Sequence, residues 1–295
     1  MSVRGVGRVG LRLAVLLVVL ALAAALWLVW DAQRTPTGNP EYVALGSSYA
    51  AGAGLGPRQQ GSPILCGRSV NGYPMQLARR LKLSLIDMTC SGAVTKHVSQ
   101  GGQFFQEAPI RTISRTTRLV TLTVGGNDVG FVRDLYLSAA RNSDTKFGWL
   151  VRNMWSGPPP MSRRGFSNLY QELTSLLDAI RMRSPNAVVV VATYPTVLPS
   201  RGTCPSLRLQ AREVATMRRV EADLAAITRS AAESRGAIVV DMHTLGNDHH
   251  ACSPEPWTKG WGAVSQSPFH PTFNGAKETA EAIAIAVRDK TAVKR

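Results

Sequence analysis

Arg4, Arg8 and Arg12 precede an unbroken apolar run from Leu13 to Trp30. As a helix these 18 residues reach about 27 Å at ~1.5 Å each, close to the hydrocarbon thickness of a bilayer. A cleaved export signal has an apolar centre of only about 7–15 residues. The small-residue cleavage option Ala21-Leu22-Ala23 lies inside the run rather than after it. Trp27 and Trp30 stand near its far end, where amphipathic rings prefer the interface. Residues 1–34 therefore read as an uncleaved transmembrane anchor, arginines inside and body outside. A long cleaved signal is the alternative, and both export the body.

The chain has 295 residues, room for one large domain or two small ones. Its 44% hydrophobic content is close to the globular norm and excludes a disordered polyelectrolyte or a polytopic membrane protein. The net charge of +15 favours anionic partners, among them components of a cell envelope. Export argues against nucleic acid, and no zinc-finger or aromatic-rich RNA motif speaks for it. Residues 35–40, polar and ending in proline, read as a linker.

Cys66, Cys90, Cys204 and Cys252 form an even set in an exported body, which suggests two disulfides. Three pairings are open. The sequential one, Cys66 with Cys90 and Cys204 with Cys252, closes loops of 24 and 48 residues. Zinc is a weaker alternative. His243, His249, His250 and Cys252 cluster, but their spacing matches no common structural site and there is no Cys-x-x-Cys.

From residue 41 to 295 strands alternate with helices. Short β-branched or apolar runs at Tyr42–Leu45, Leu83–Met88, Leu119–Val124, Ala187–Ala192 and Ala237–Asp241 read as strands. Pro74–Leu83, Phe166–Met182, Leu207–Ser234 and Gly275–Arg288 read as helices. The pattern predicts one α/β domain with a central parallel sheet and a ligand site beyond the carboxyl ends of the strands. Asp128–Arg164 breaks the rhythm and reads as an irregular insertion beside that site, its Phe147, Trp149 and Trp155 belonging either to a pocket or to the core.

Chemically suggestive groups follow the strands. Gly46-Ser47-Ser48 ends the first, Ser91-Gly92 follows the second, and Gly125-Gly126-Asn127-Asp128 ends the third. A serine at a strand-to-helix turn is a candidate nucleophile, while a glycine N–H and an asparagine amide are oxyanion donors. Near the C-terminus Phe269-His270-Pro271 precedes the last helix, and His270 is a candidate general base.

Taken in chain order, these blocks resemble the SGNH hydrolases, also called GDSL esterases and lipases. The likeness covers residues 41–288, nearly all of the exported body. It implies a three-layer, flavodoxin-like α/β sandwich. It also implies Ser48 as nucleophile, His270 as base, and an oxyanion hole of Ser48, Gly92 and Asn127. The implied substrate is a carboxylic ester, of a lipid or an acylated saccharide, and neither metal nor organic cofactor is required. An α/β-hydrolase would need a Gly-x-Ser-x-Gly elbow, and none is present. Two departures stand out. Ser47 occupies the place of the family's first Asp, and Ser267 that of the Asp three residues before the His. Some secreted members work as a Ser–His dyad, which implies that the Ser267 carbonyl orients His270 and that His270 titrates near the usual 6.5. The cysteines resemble the same branch, in which early and late disulfides staple loops around the site. Asp128 is expected to brace the Asn127 turn, Asp241 to close a turn, and His97, His243 and His249 to be structural. Acyl transfer to an envelope acceptor, or binding without catalysis on a decayed scaffold, are the alternative functions.

Overall fold

The computed structural model describes residues 3–262 and 266–293. It opens with α1 (Val3–Ala32), whose segment Leu11–Ala32 is long and apolar enough to cross a membrane. The last turn of α1 is not free: Asp31 and Ala32 are buried against the body, so the helix packs on it ahead of the unstructured stretch 35–40.

The body alternates as its sequence predicts. In order come β1 (Tyr42–Gly46), α2 (Ser48–Ala51), α3 (Tyr73–Leu81), β2 (Leu85–Asp87), α4 (Thr95–Gln100) and β3 (Leu119–Thr123). They are followed by α5 (Phe131–Arg141), α6 (Lys146–Met154), α7 (Phe166–Arg183), β4 (Val188–Ala192), α8 (Ala211–Ser234), β5 (Ile238–Val240), α9 (Met242–Leu245) and α10 (Phe273–Val293). The five strands form one parallel sheet in the order β2-β1-β3-β4-β5.

Successive strand residues face opposite sides, and both sides are covered. Val43, Leu45, Val120, Leu122, Val189 and Val191 pack in the core beneath α4, α7 and α8. Tyr42, Ala44, Leu119, Val190 and Ala192 pack in the second core, with α3 and α10. That double burial explains why the strands read as continuous apolar runs. The disulfides are Cys66–Cys90 and Cys204–Cys252, so the sequential pairing is the one formed and Cys252 has no thiol left for a metal.

The segment 128–164 corrects the expected irregular insertion, because it is largely helical. Phe131, Leu135 and Ala139 recur every fourth residue and bury one face of α5. Thr145 caps α6 by accepting from the Gly148 N–H. A Cβ at Gly148 would lie 2.4 Å from the Ser143 carbonyl oxygen, so only glycine lets α6 turn back so tightly on α5. Arg164 closes the excursion: fully buried, it donates to the Val129 carbonyl (2.9 Å) and to Asp134 (2.8 Å).

Glu221 of α8 is buried among these layers. One carboxyl oxygen accepts from the Val197 N–H at 2.6 Å, and the other has no partner. Burial pushes its carboxyl from 4.5 up to about 8, against the lowering effect of the Val197 and Leu198 N–H groups. A group raised on folding contributes stability that is present below its unfolded pKa and lost as pH rises through the folded one. Conformational stability of the detergent-solubilised chain is therefore expected to decline between pH 5 and pH 8, and Glu221→Gln to flatten that slope. Thermal unfolding followed by near-UV circular dichroism at both pH values checks this; an unchanged slope in Glu221→Gln would assign it to other groups.

Candidate active site

The site lies beyond the carboxyl ends of β1, β2 and β3, where the strands deliver three of the four blocks side by side. Gly46 ends β1 with φ +148, and a Cβ there would stand 2.4 Å from the Thr123 carbonyl oxygen. Only glycine permits this approach. The Ser47 N–H then donates to that same oxygen at 2.9 Å, and Cys90 N–H donates to Gly46 O at 2.9 Å. The turn after β1 is thereby fastened on both flanks, and Ser48 opens α2 almost fully buried.

His270 Nε2 lies 2.7 Å from Ser48 Oγ. Its Nδ1 lies 2.9 Å from the Pro268 carbonyl oxygen. A carbonyl only accepts, so Nδ1 carries the proton and Nε2 is left to accept from the Ser48 hydroxyl. The orienting carbonyl expected at Ser267 is thus supplied chiefly one residue later. Ser267 and Phe269 both take positive φ (50 and 61), and the sharp turn brings the Pro268 carbonyl under the ring. Burial drives His270 down to about 4, the Pro268 carbonyl opposes it, Lys259 adds a further lowering, and the Ser267 carbonyl opposes it less. The expected value near 6.5 is therefore corrected downward, because no carboxylate offsets the desolvation of the imidazolium.

Ser48, Gly92, Asn127 and His270 line one cavity of about 370 Å³, together with Ala53, Val132, Tyr136 and Arg133. Gly92 has φ +82 and open space at its Cβ position except for the Gln103 amide at 3.4 Å. Gln103 Nε2 donates to the Ser91 carbonyl at 2.7 Å and holds this loop from outside. Cys90 carries the first disulfide to Cys66, whose carbonyl accepts from Ser91 N–H at 3.0 Å. Asn127 uses one amide hydrogen on the Ala93 carbonyl at 2.9 Å, leaving the other for a ligand. Asp128 accepts from the Thr95 N–H at 3.0 Å, so it braces the Asn127 turn against the start of α4. Burial raises the Asp128 carboxyl against that bond.

Two tyrosines missed in the sequence complete the frame. Tyr194 Oη accepts from the Gly126 N–H at 3.0 Å and pairs with Ser47 Oγ at 3.0 Å. A Cβ at Gly126 would meet the Tyr194 ring at 2.9 Å, which explains that glycine. Tyr49 packs edge-on to Tyr194 (4.5 Å between centroids) and lies 5.0 Å from the His270 ring. Its hydroxyl donates to the Phe269 carbonyl. Tyr194 sits in no motif block, and Tyr49, although next to Ser48, carries no local mark of its partner; the only signal was the unusual Ser47, whose hydroxyl needs a partner when buried.

The remaining candidates are structural. Asp241 caps α9, bonds Thr193 at 3.0 Å and pairs with Arg229 at 2.9 Å, so its carboxylate serves that turn. His249 stacks on Trp257 at 4.3 Å and bonds the Glu255 carbonyl at 2.8 Å. His97 Nδ1 accepts from the Val94 N–H at the start of α4.

A model of the GDSL-like lipase/acylhydrolase family matches residues 44–277. The chain belongs to that family. Lipase 2 of Streptomyces coelicolor is 34% identical over 85% of this chain and 86% of its own. Lipase 1 of the same organism is 32% identical over 87% and 90%. Among solved structures, the extracellular lipase of Streptomyces rimosus superposes with a TM-score of 0.68 at 28% identity, covering 83% of this chain and 98% of that one. A phospholipase A1 of Streptomyces albidoflavus gives 0.65 at 27% identity, over 84% and 98%. With this family and these relatives, the protein is a carboxylic ester hydrolase.

Two outcomes follow from the geometry. His270 should titrate by NMR with a midpoint far below 6.5, towards 4; a midpoint above 7 would require a carboxylate partner. Tyr194→Phe strands the buried Gly126 N–H, a loss of about 1–3 kcal/mol, and should lower both the unfolding temperature and kcat. Tyr194→Phe with unchanged kcat would remove the tyrosine from the frame of the site.

Proposed function

We propose that the protein is an exported, membrane-anchored serine esterase acting on lipid esters through an acyl-enzyme on Ser48. The observation that carries this reading is the 2.7 Å contact of Ser48 Oγ with His270 Nε2 in a cavity shared with Gly92 and Asn127.

The chemistry runs as follows. Ser48 Oγ attacks the ester carbonyl while His270 Nε2 takes its proton. The N–H groups of Ser48 and Gly92 and the free hydrogen of the Asn127 amide receive the negative charge on the carbonyl oxygen. His270 returns the proton to the leaving alcohol as the carbon–oxygen bond breaks. Water, activated by the same imidazole, then attacks the acyl-enzyme and releases the acid and Ser48.

A base with a pKa near 4 is neutral throughout the physiological range, so it is always ready to accept. It gains little from charge stabilisation once protonated, and the transition state leans on the oxyanion donors. The substrate class is supported by the lipase and phospholipase names of the relatives and by the apolar wall of the cavity. Val132 and Tyr136 of α5 form that wall, and Phe147 of α6 backs Tyr136 at 6.0 Å. The anchor and the export of the body are supported by the length of the apolar helix and the arginines before it.

A fluorophosphonate probe should label Ser48 stoichiometrically, and Ser48→Ala should abolish both labelling and hydrolysis of nitrophenyl esters. Asn127→Ala should lower kcat by about 10²–10³ with a smaller change in KM, the signature of a lost oxyanion donor. Full activity in Ser48→Ala would overturn the mechanism.

A further inference from the structure

We infer that the body is seated flush on the membrane its own N-terminal helix crosses, with the β2 edge of the sheet towards the bilayer, so that the pocket draws its ester from that same membrane. This rests on the anchored-esterase reading above and adds a fixed geometry to it.

The end of α1 is built into the body. Leu28 and Val29 are half-buried, and Asp31 and Ala32 almost fully so. The Asp31 carboxylate accepts from the Ile64 N–H at 2.8 Å and pairs with Arg34 at 2.7 Å. The Ala32 carbonyl accepts from Gln106 Nε2 at 2.6 Å. A buried carboxylate is costly unless bonded, and this one takes a hydrogen bond from the body itself. The helix therefore ends on the loops at 64–66 and 103–105, without a tether between.

Length then fixes the membrane level. Leu11–Ala32 is the apolar span, of 22 residues. With Leu28–Ala32 against the body, Leu11–Trp27 remains free, about 26 Å of helix at ~1.5 Å per residue. A hydrocarbon core is about 30 Å thick. The free stretch has no surplus, so the bilayer surface must reach the docked turn. Groups suited to that level stand there. Trp30 is exposed with the Arg34 guanidinium over its ring at 5.5 Å, an arrangement favoured at the headgroup boundary. On the loops that receive the helix, Ile64 is 43% and Phe105 is 73% exposed. These apolar side chains are costly in water and at home in an interface.

The same loops adjoin the pocket. Gln103 opens the 103–105 turn and holds the Ser91 carbonyl at 2.7 Å, beside Gly92 in the cavity wall. One side chain thus separates the proposed oxyanion hole from the loop on which the anchor ends. The opposite sheet edge, β5, lies four strand spacings away, about 19 Å.

All four native cysteines are in disulfides, so an introduced thiol is the only one available for labelling. Phe105→Cys and, on α9 after β5, Leu245→Cys in the full chain would carry an environment-sensitive fluorophore in vesicles containing headgroup-spin-labelled phospholipid. The label at 105 should be quenched at least twofold and that at 245 little. This readout needs no hydrolysis, so it stands even if the esterase reading fails. An eight-residue Gly-Ser insertion between Leu26 and Trp27 should relieve the quenching. It should also lower hydrolysis of a vesicle-embedded ester at least fivefold, with hydrolysis of a soluble nitrophenyl ester unchanged. An unquenched label at 105, including one that is blue-shifted because a protein covers it, would overturn the inference. So would vesicle-ester hydrolysis unaffected by the insertion. A mature N-terminus at Asp31 or later would overturn it together with the anchor, whereas absent hydrolysis of both esters by the parent chain would sink the esterase reading alone.

Discussion

The pairing of β1 with β3 is the constraint on which the site depends. The two strands run parallel in register from Tyr42 against Leu119 to Gly46 against Thr123. Their ends therefore arrive together, and the Ser47 N–H extends the ladder by one bond to the Thr123 carbonyl. A side chain at position 46 would collide with that carbonyl, so the register and the glycine specify one another. The consequence is chemical as well as structural. Ser48 follows β1 by two residues and Asn127 follows β3 by four, so their positions are set by sheet geometry rather than by flexible loops. Each strand is buried on both faces, and a slip of one residue would exchange the two cores.

The fourth block lacks such a strand and is held by hydrogen bonds instead. In the turn before α10, consecutive carbonyls each have a donor. Pro268 accepts from His270 Nδ1, Phe269 from the Tyr49 hydroxyl, and His270 from the Lys259 N–H. Lys259 also donates from its ammonium to the Gln266 carbonyl at 2.6 Å and the Gly54 carbonyl at 3.2 Å. The second disulfide supports the far side, since Ser206, two residues past Cys204, accepts from the Trp261 N–H through its carbonyl at 2.6 Å. The turn is thus specified by backbone acceptors and a few donors, of which Tyr49 is the immediate neighbour of Ser48 in sequence.

This distribution explains what was legible in the sequence. The alternation of apolar runs with amphipathic stretches yielded all five strands and the main helices, because doubly covered parallel strands and helices with one buried face leave those patterns. The four blocks were legible through their resemblance, in chain order, to those of a known family, since a glycine or serine at a strand-to-helix turn is by itself common. The contacts that orient them were not. Tyr194 reaches Ser47 from 147 residues away, and Tyr49 reaches Phe269 across 220. Nothing local marks a residue whose role is to meet a distant partner. The helices of segment 128–164 were obscured by the Gly-Pro-rich stretch 157–160, although the fourfold spacing of Phe131, Leu135 and Ala139 was visible. The burial of Asp31 was hidden because an acidic residue at the end of an apolar run reads as a boundary.

Ser47 and Ser267, the two departures from the family pattern, have a common physical sense. Ser267 lies in the turn that holds His270, whereas Ser47 faces Tyr194, and each position is served by partners without net charge. At position 47 the lost acceptor is replaced by the neutral pair of Ser47 and Tyr194, whose phenol burial holds well above its usual range while it satisfies the Gly126 N–H. At position 267 the orienting role passes to the Pro268 carbonyl, with no net charge. Neither the Tyr194 hydroxyl nor the Pro268 carbonyl carries a net charge. A carboxylate would stabilise the imidazolium and raise its pKa; neutral acceptors fix the tautomer and leave desolvation unopposed by any full charge. The downward shift of His270 is that desolvation, opposed only by the Pro268 and Ser267 carbonyls. The frame that orients His270 is dipolar, and in the proposed reaction the burden of stabilising charge falls on the loop of Gly92 and the amide of Asn127.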